Sequence, residues 1–205
     1  MNDIITIDGI RYKRIEDNTS QATITSITYD FDDDYGPVPA HQHVNPGGSV
    51  GGWVADTAQV AATAYIGPDA VVFGNAQVSG YAQVSGSAQV SGSAQVYGSA
   101  RVFGSAWVYE NARVSGSALV SRSALVFGSA QVFESVQVSG DARVYGFARV
   151  YGNARVSGSA WVYENARVYG FARVYGFAQV FESAQVSGDA RVYGSARVSG
   201  YEVRK

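Results

Sequence analysis

Imidazole chemistry in this sequence is confined to His41 and His43, and thiolate chemistry is absent because the 205-residue chain has no cysteine. Disulfides and thiolate metal sites are therefore excluded. The remaining candidates for coordination are the acidic stretch "DFDDDYG" at 30–36 and "HQH" at 41–43. Asp30, Asp32 and Asp34 alternate as ligands do in a calcium loop. Gly36, however, falls at the seventh place, and His41 stands at the twelfth, where a bidentate Glu belongs. Asp30, Asp32, Asp34, His41 and His43 are the candidate ligands, but a solvated acidic loop, and no metal site, is the expectation. No cofactor is expected. Arginines such as Arg155, Arg173 and Arg191 could meet phosphates, but a net charge of -2 argues against nucleic acid as a partner.

What positions these groups is a repeat of six residues. Stepping by six from Val54 to Val198 meets Val at every position except Ile66, and two residues earlier Ala recurs from 58 to 196 except at Val136. Fixed-period self-similarity of this kind marks a solenoid. Ala and Val, two apart on an extended strand, point inward, and the Gln or Arg and the Ser, Tyr or Phe beside them point outward. The remaining pair, usually Gly then Ser, Asn or Asp, turns the chain. Gly occupies 17 of these 25 corner sites, with Glu110, Arg122, Glu134, Glu164 and Glu182 among the exceptions. A β-branched residue in every hexad is the opposite of a disordered composition.

Three hexads predict a triangular parallel coil of 18 residues. "GSAWVYENARV" occurs at 104–114 and again at 158–168, a separation of 54, or three such turns. Trp53, Trp107 and Trp161, the only tryptophans, share that spacing and so share one outward column. The next column on the same face contains Phe73, Tyr109, Phe127, Tyr145, Tyr163 and Phe181. The Gln and Arg columns of the other two faces lead to the expectation that those faces are polar. These nine aromatic residues are the candidate interface, predicted to join copies of the chain, because monomers seldom leave so long an apolar strip exposed; a ladder that stabilises the sheet by stacking alone is the competing reading.

The first 50 residues are different. "IITIDGIRYKRI" reads as two strands around Asp8-Gly9, and "ATITSITYDF" at 22–31 as a third, followed by an acidic, Pro-rich connector to residue 50. The expected division is a small N-terminal β cap with its connector at 1–50, the repeat body at 51–200 and a charged end at 201–205. At that end Glu202 occupies an Ala position and Arg204 a Val position, and the charge is expected to discourage end-to-end stacking. Residues 1–50 carry eight Asp or Glu against three Lys or Arg, whereas 101–200 carry ten Arg against six acids. No apolar run is long enough to span a bilayer, and the N-terminus lacks the pattern of an export signal. A cytoplasmic bacterial or phage-encoded protein is expected.

The stretch "YIGPDAVVFGNAQV" at 65–78, with Ile66, Gly67 and Ala70, resembles the hexapeptide motif of the left-handed parallel β-helix family. Later hexads such as "VYGNARVSG", and the entry "GGWV" at 51–54, resemble the repeat arrays of phage, prophage and YdcK-like acetyltransferase-like proteins. The resemblance implies the left-handed coil, which spacing alone does not give. It also implies an acyltransferase, yet such enzymes use a His projecting from the coils together with interrupting loops. This chain has no His beyond His43 and no break in its phase. The expectation is therefore a non-enzymatic scaffold or binding solenoid with no catalytic residue. The alternatives are an acyltransferase-like enzyme and a carbohydrate- or appendage-binding module, with a polysaccharide or protein as its partner.

Overall fold

The computed structural model describes residues 4–7, 10–15, 23–32 and 36–205. From Trp53 onward the chain winds as triangular coils of 18 residues with a short strand on each side. Trp53 pairs in parallel with Val71, Val71 with Gln89, and Gln89 with Trp107 on the first face. Gln59 pairs with Gln77 on the second and Tyr65 with Gln83 on the third. The strands run from β6 (Gln59–Val60) to β30 (Glu202–Arg204) and, with β5 (Val50–Ala55), form three parallel sheets. About eight coils at a strand spacing of roughly 4.8 Å make a rod near 40 Å long.

Alternation explains the core. Each inward Ala and Val from Ala64 to Val186 is fully buried, in one continuous column of small and β-branched side chains. Outward residues carry the coil-to-coil hydrogen bonds: Gln95, Tyr97 and Ser99 donate their N–H groups to the carbonyls of Ala112, Val114 and Gly116 at 2.9, 3.0 and 2.8 Å. From Gly74 to Gly200 every corner has a positive φ, whether its residue is Gly, Glu or Arg. Gly128 has φ 69° and Glu110, one coil away in the same column, has φ 58°. A left-handed non-glycine costs about 1 kcal/mol, small enough for the two flanking sets of ladder bonds to impose.

The head extends the first face. Strands β1 (Ile4–Ile7), β2 (Ile10–Ile15), β3 (Thr23–Tyr29) and β4 (Val38–Val44) pair antiparallel in order, and β4 pairs antiparallel with β5. Asp8 and Gly9 lie outside the described residues, but Ile7 pairs with Ile10. The expected connector thus contains a strand. Pro37 and Pro39 hide it in the sequence, yet Pro39, which lacks an N–H, still accepts from Asp56 N at 2.9 Å through its carbonyl.

Two side chains of the head close the lower edge of the third face, where β7 (Tyr65–Ile66) has no strand beneath it. Asn45, buried, accepts from Ile66 N at 2.7 Å through Oδ1 and donates to Ile66 O at 2.9 Å through Nδ2, standing in for a missing strand. His43 Nε2 lies 3.1 Å from Ala64 O, also buried. Asn45→Ala is expected to lower stability by about 2 kcal/mol, because both partners on Ile66 are left unpaired in the interior. Urea unfolding followed by circular dichroism checks this, and an unchanged midpoint would contradict it.

The C-terminus departs from the simple phase. Val203 pairs with Val186 and Glu202 with Gln185, one residue short of a full turn. The slip puts Val203, rather than Arg204, against the core. It turns Glu202 and Arg204 outward, where they form a 3.0 Å ion pair.

Candidate functional site

On the first face, the residue following each inward Val sits directly over its counterpart one coil below. Strand spacing matches the separation at which rings stack. Tyr109, Phe127, Tyr145, Tyr163 and Phe181 accordingly form one ladder, with centroid separations of 4.8, 4.8, 5.0 and 5.2 Å and interplanar angles of 3–7°. All five rings are half-buried.

Both ends of the ladder are closed within the chain. Below Tyr109 the column has Ser91, so Trp107 leans across from the adjacent column. Its indole N–H donates to Ser91 Oγ at 3.0 Å, and its ring lies 4.6 Å from Tyr109 at 37°. Above Phe181 the Arg197 guanidinium covers the ring at 5.1 Å, and Arg143 covers Trp161 at 5.2 Å. Trp107, Leu125, Arg143 and Trp161 occupy the parallel column, so aromatic edges and aliphatic surface form one strip that is interrupted by the Arg143 guanidinium.

Burial pushes the Tyr109 hydroxyl above its ordinary value; the Glu110 carboxylate adds to the rise and Arg143 opposes it. Tyr145 is raised by burial first and by Tyr163 next, with Arg143 again opposing. A raised phenol favours the neutral form. The ladder's contribution is therefore complete below the ordinary tyrosine range and erodes as pH rises through the folded values.

Two of the nine aromatic candidates lie elsewhere. Trp53, 9% exposed, stacks on Tyr29 at 4.8 Å, and Phe73, 6% exposed, stacks on Phe31 at 5.0 Å. The head covers both on the first two coils, so they belong to an internal cluster with Ala40 and Ala55 rather than to an exposed strip. Trp107, Tyr109, Phe127, Tyr145, Trp161, Tyr163 and Phe181 are brought together.

The other two faces are not uniformly polar. Phe133, Tyr151 and Tyr169 stack on the second face at 5.1 and 4.9 Å, and Tyr175 and Tyr193 on the third at 5.4 Å. The residue after Val on every face carries that signal; the Gln and Arg columns alone conceal it.

Among the described residues the candidate metal ligands do not converge. Asp32 N donates to Asp30 Oδ1 at 3.1 Å, and Asp34 lies outside the described residues. His41 Nδ1 pairs with Asp56 Oδ1 at 2.8 Å, with both groups exposed, whereas His43 is spent on Ala64. Among the described residues no three His, Asp or Glu come together as a metal site would require.

Comparison with known proteins agrees with this architecture. The model of the YdcK β-solenoid repeat matches residues 94–110, 148–164 and 184–200. Each match begins at the Ala that leads into the second face, so all three lie in the same phase of the coil. No curated protein matches the chain. Among solved structures, UDP-N-acetylglucosamine O-acyltransferase (LpxA) from Moraxella catarrhalis RH4 is similar with a TM-score of 0.51 at 15% identity, over 69% of this chain and 71% of that one. LpxA is a hexapeptide-repeat left-handed β-helix.

Proposed function

We propose that this hexapeptide-repeat β-helix is a non-catalytic scaffold whose aromatic face pairs with a second copy of the chain. The observation that carries the reading is the strip formed by the five-ring ladder with Trp107, Leu125 and Trp161 beside it. The rings are locked by their neighbours before any partner arrives, so little side-chain entropy is lost on contact. A strip centred on Tyr145 suits a two-fold arrangement, in which the same surface serves both copies. The aromatic edges supply apolar contact; Arg143, held over Trp161, lies beside Tyr145 at the centre of the strip, and Arg197, held over Phe181, stands at its end.

Changing Trp107, Tyr145 and Trp161 together to Ser is expected to halve the mass measured by light scattering while β-sheet circular dichroism persists. A monomeric unmodified chain at micromolar concentration would overturn the proposal and leave the ladder as internal stabilisation only.

A second reading rests on the likeness to an acyltransferase and on His41, an exposed imidazole held by Asp56. A base oriented by a carboxylate is a familiar acid–base unit. This unit sits at the margin of the first coil, away from the aromatic strip. Release of CoA from acyl-CoA by the intact chain would favour that reading over the scaffold.

A further inference from the structure

The third face carries a column that neither the aromatic strip nor the core explains. Arg155, Arg173 and Arg191 occupy consecutive coils and pair in register, Arg155 with Arg173 and Arg173 with Arg191. Three like charges are therefore stacked at the strand spacing of roughly 4.8 Å. None of them has an ion pair or ring contact among the described residues, whereas Arg101, Arg143 and Arg197 each lie over a ring. Such a column repels itself, and an anion laid along it removes that repulsion.

The surroundings indicate what kind of anion. A shallow cleft of about 240 Å³ is lined by the three arginines with Ser157 and Tyr175. On the same side of one coil, "FARVYGF" at 171–177 places Phe171 and Phe177 at the two corners, 62% and 70% exposed. Below Arg155 the column continues with Gln137. Guanidiniums for oxyanions, the Tyr175 ring for a sugar face and the Ser157 hydroxyl for sugar hydroxyls thus line one cleft, with Phe171 and Phe177 exposed at the two corners of the Arg173 coil. The chain as a whole is net negative, at -2. That balance opposes a strand charged at every unit, as nucleic acid is, and suits a hydroxyl-rich polymer with intermittent charge.

We propose that Arg155, Arg173 and Arg191, with Tyr175, Phe171 and Phe177, bind a strand of acidic polysaccharide lying along the third face. The guanidiniums take its carboxylates or sulfates. This surface is distinct from the aromatic strip, and its occupation does not require the rods to pair.

Binding of the full chain to four probes at low salt tests the proposal: a hyaluronan hexasaccharide, with a carboxylate on alternate sugars, a κ-carrageenan hexasaccharide, with a sulfate on alternate sugars, maltohexaose and a twelve-residue oligothymidylate. At least one acidic sugar is expected to bind, the carboxylate and sulfate arms showing which group is preferred, with no binding of maltohexaose and weaker binding of the oligonucleotide. Arg155→Gln, Arg173→Gln and Arg191→Gln combined should weaken that binding at least tenfold with unchanged circular dichroism. The matching triple on the second face, Arg113→Gln, Arg149→Gln and Arg167→Gln, should leave it within twofold. The proposal is overturned if neither acidic sugar binds, if maltohexaose binds equally, if the oligonucleotide binds as tightly or more tightly, or if the two triples lose affinity alike.

Discussion

Val126→Asp is expected to unfold the repeat body, at a cost of about 5 kcal/mol or more. Val126 is fully buried, and its neighbours in the column are Val108 and Val144. A carboxylate there has no donor and no water, and even in its neutral form it leaves a buried polar group unpaired. The position is mid-rod, so coils on both sides lose a neighbour, and nearest-neighbour contacts are the basis of a solenoid's stability. Gln131→Asp, five residues away but outward and flanked in register by Arg113 and Arg149, is expected to be neutral. Thermal unfolding of the two variants side by side is the measurement. Equal tolerance would refute the inward assignment of Val.

The second large effect belongs to Gly52→Ala. Gly51 and Gly52 are buried where the chain enters the first coil. A Cβ on Gly52 would collide with the carbonyl oxygens of Ala70 and Gly67. Both obstacles are backbone, so neither can rotate away, and relief requires moving β5 off the first coil. The expected cost is about 3 kcal/mol or more, concentrated where the head joins the body. Limited proteolysis should then cleave near residues 45–50 before the body unfolds. Ser49→Ala, exposed three residues earlier, should resist like the unmodified chain; similar resistance of Gly52→Ala would show that the entry can open without cost.

The repeat body was legible because every hexad states the same rule. Val at each sixth position, Ala two before it and Gly at the corner fix the inward side, the coil length and the register that pairs Trp107 with Leu125. Column reading fails where a coil has a neighbour of another kind. Trp53 and Phe73 obey the period, but Tyr29 and Phe31 cover them, and nothing in the hexads announces that a head strand lies across the first two coils. His43 and Asn45 were equally hidden. Their role is set by an edge with no preceding strand, which is a property of the assembled rod rather than of any local stretch. The C-terminal slip has a clear cause once Val203 is seen to compete with Arg204 for a place on the core. The seven clustered aromatic residues followed from spacing alone, whereas the closure of their ladder by Trp107 and Arg197 depends on Ser91 and Ser199 leaving room at each end.

The common geometry of the corners gives the molecule an unusual form of inheritance. Because Gly128 and Glu110 turn the chain alike, any hexad can follow any other, and gain or loss of one unit leaves the core intact while rotating everything downstream by a third of a turn. The sequence carries such an event: "VFES" followed by Val or Ala and "QVSGDARVYG" occurs at 132–146 and 180–194, a separation of eight hexads. The copies fall on different faces, with Phe133 in the second-face stack and Phe181 in the first-face ladder. Recombination between hexads therefore works as a dial. It redistributes existing side chains among three surfaces without inventing a new residue.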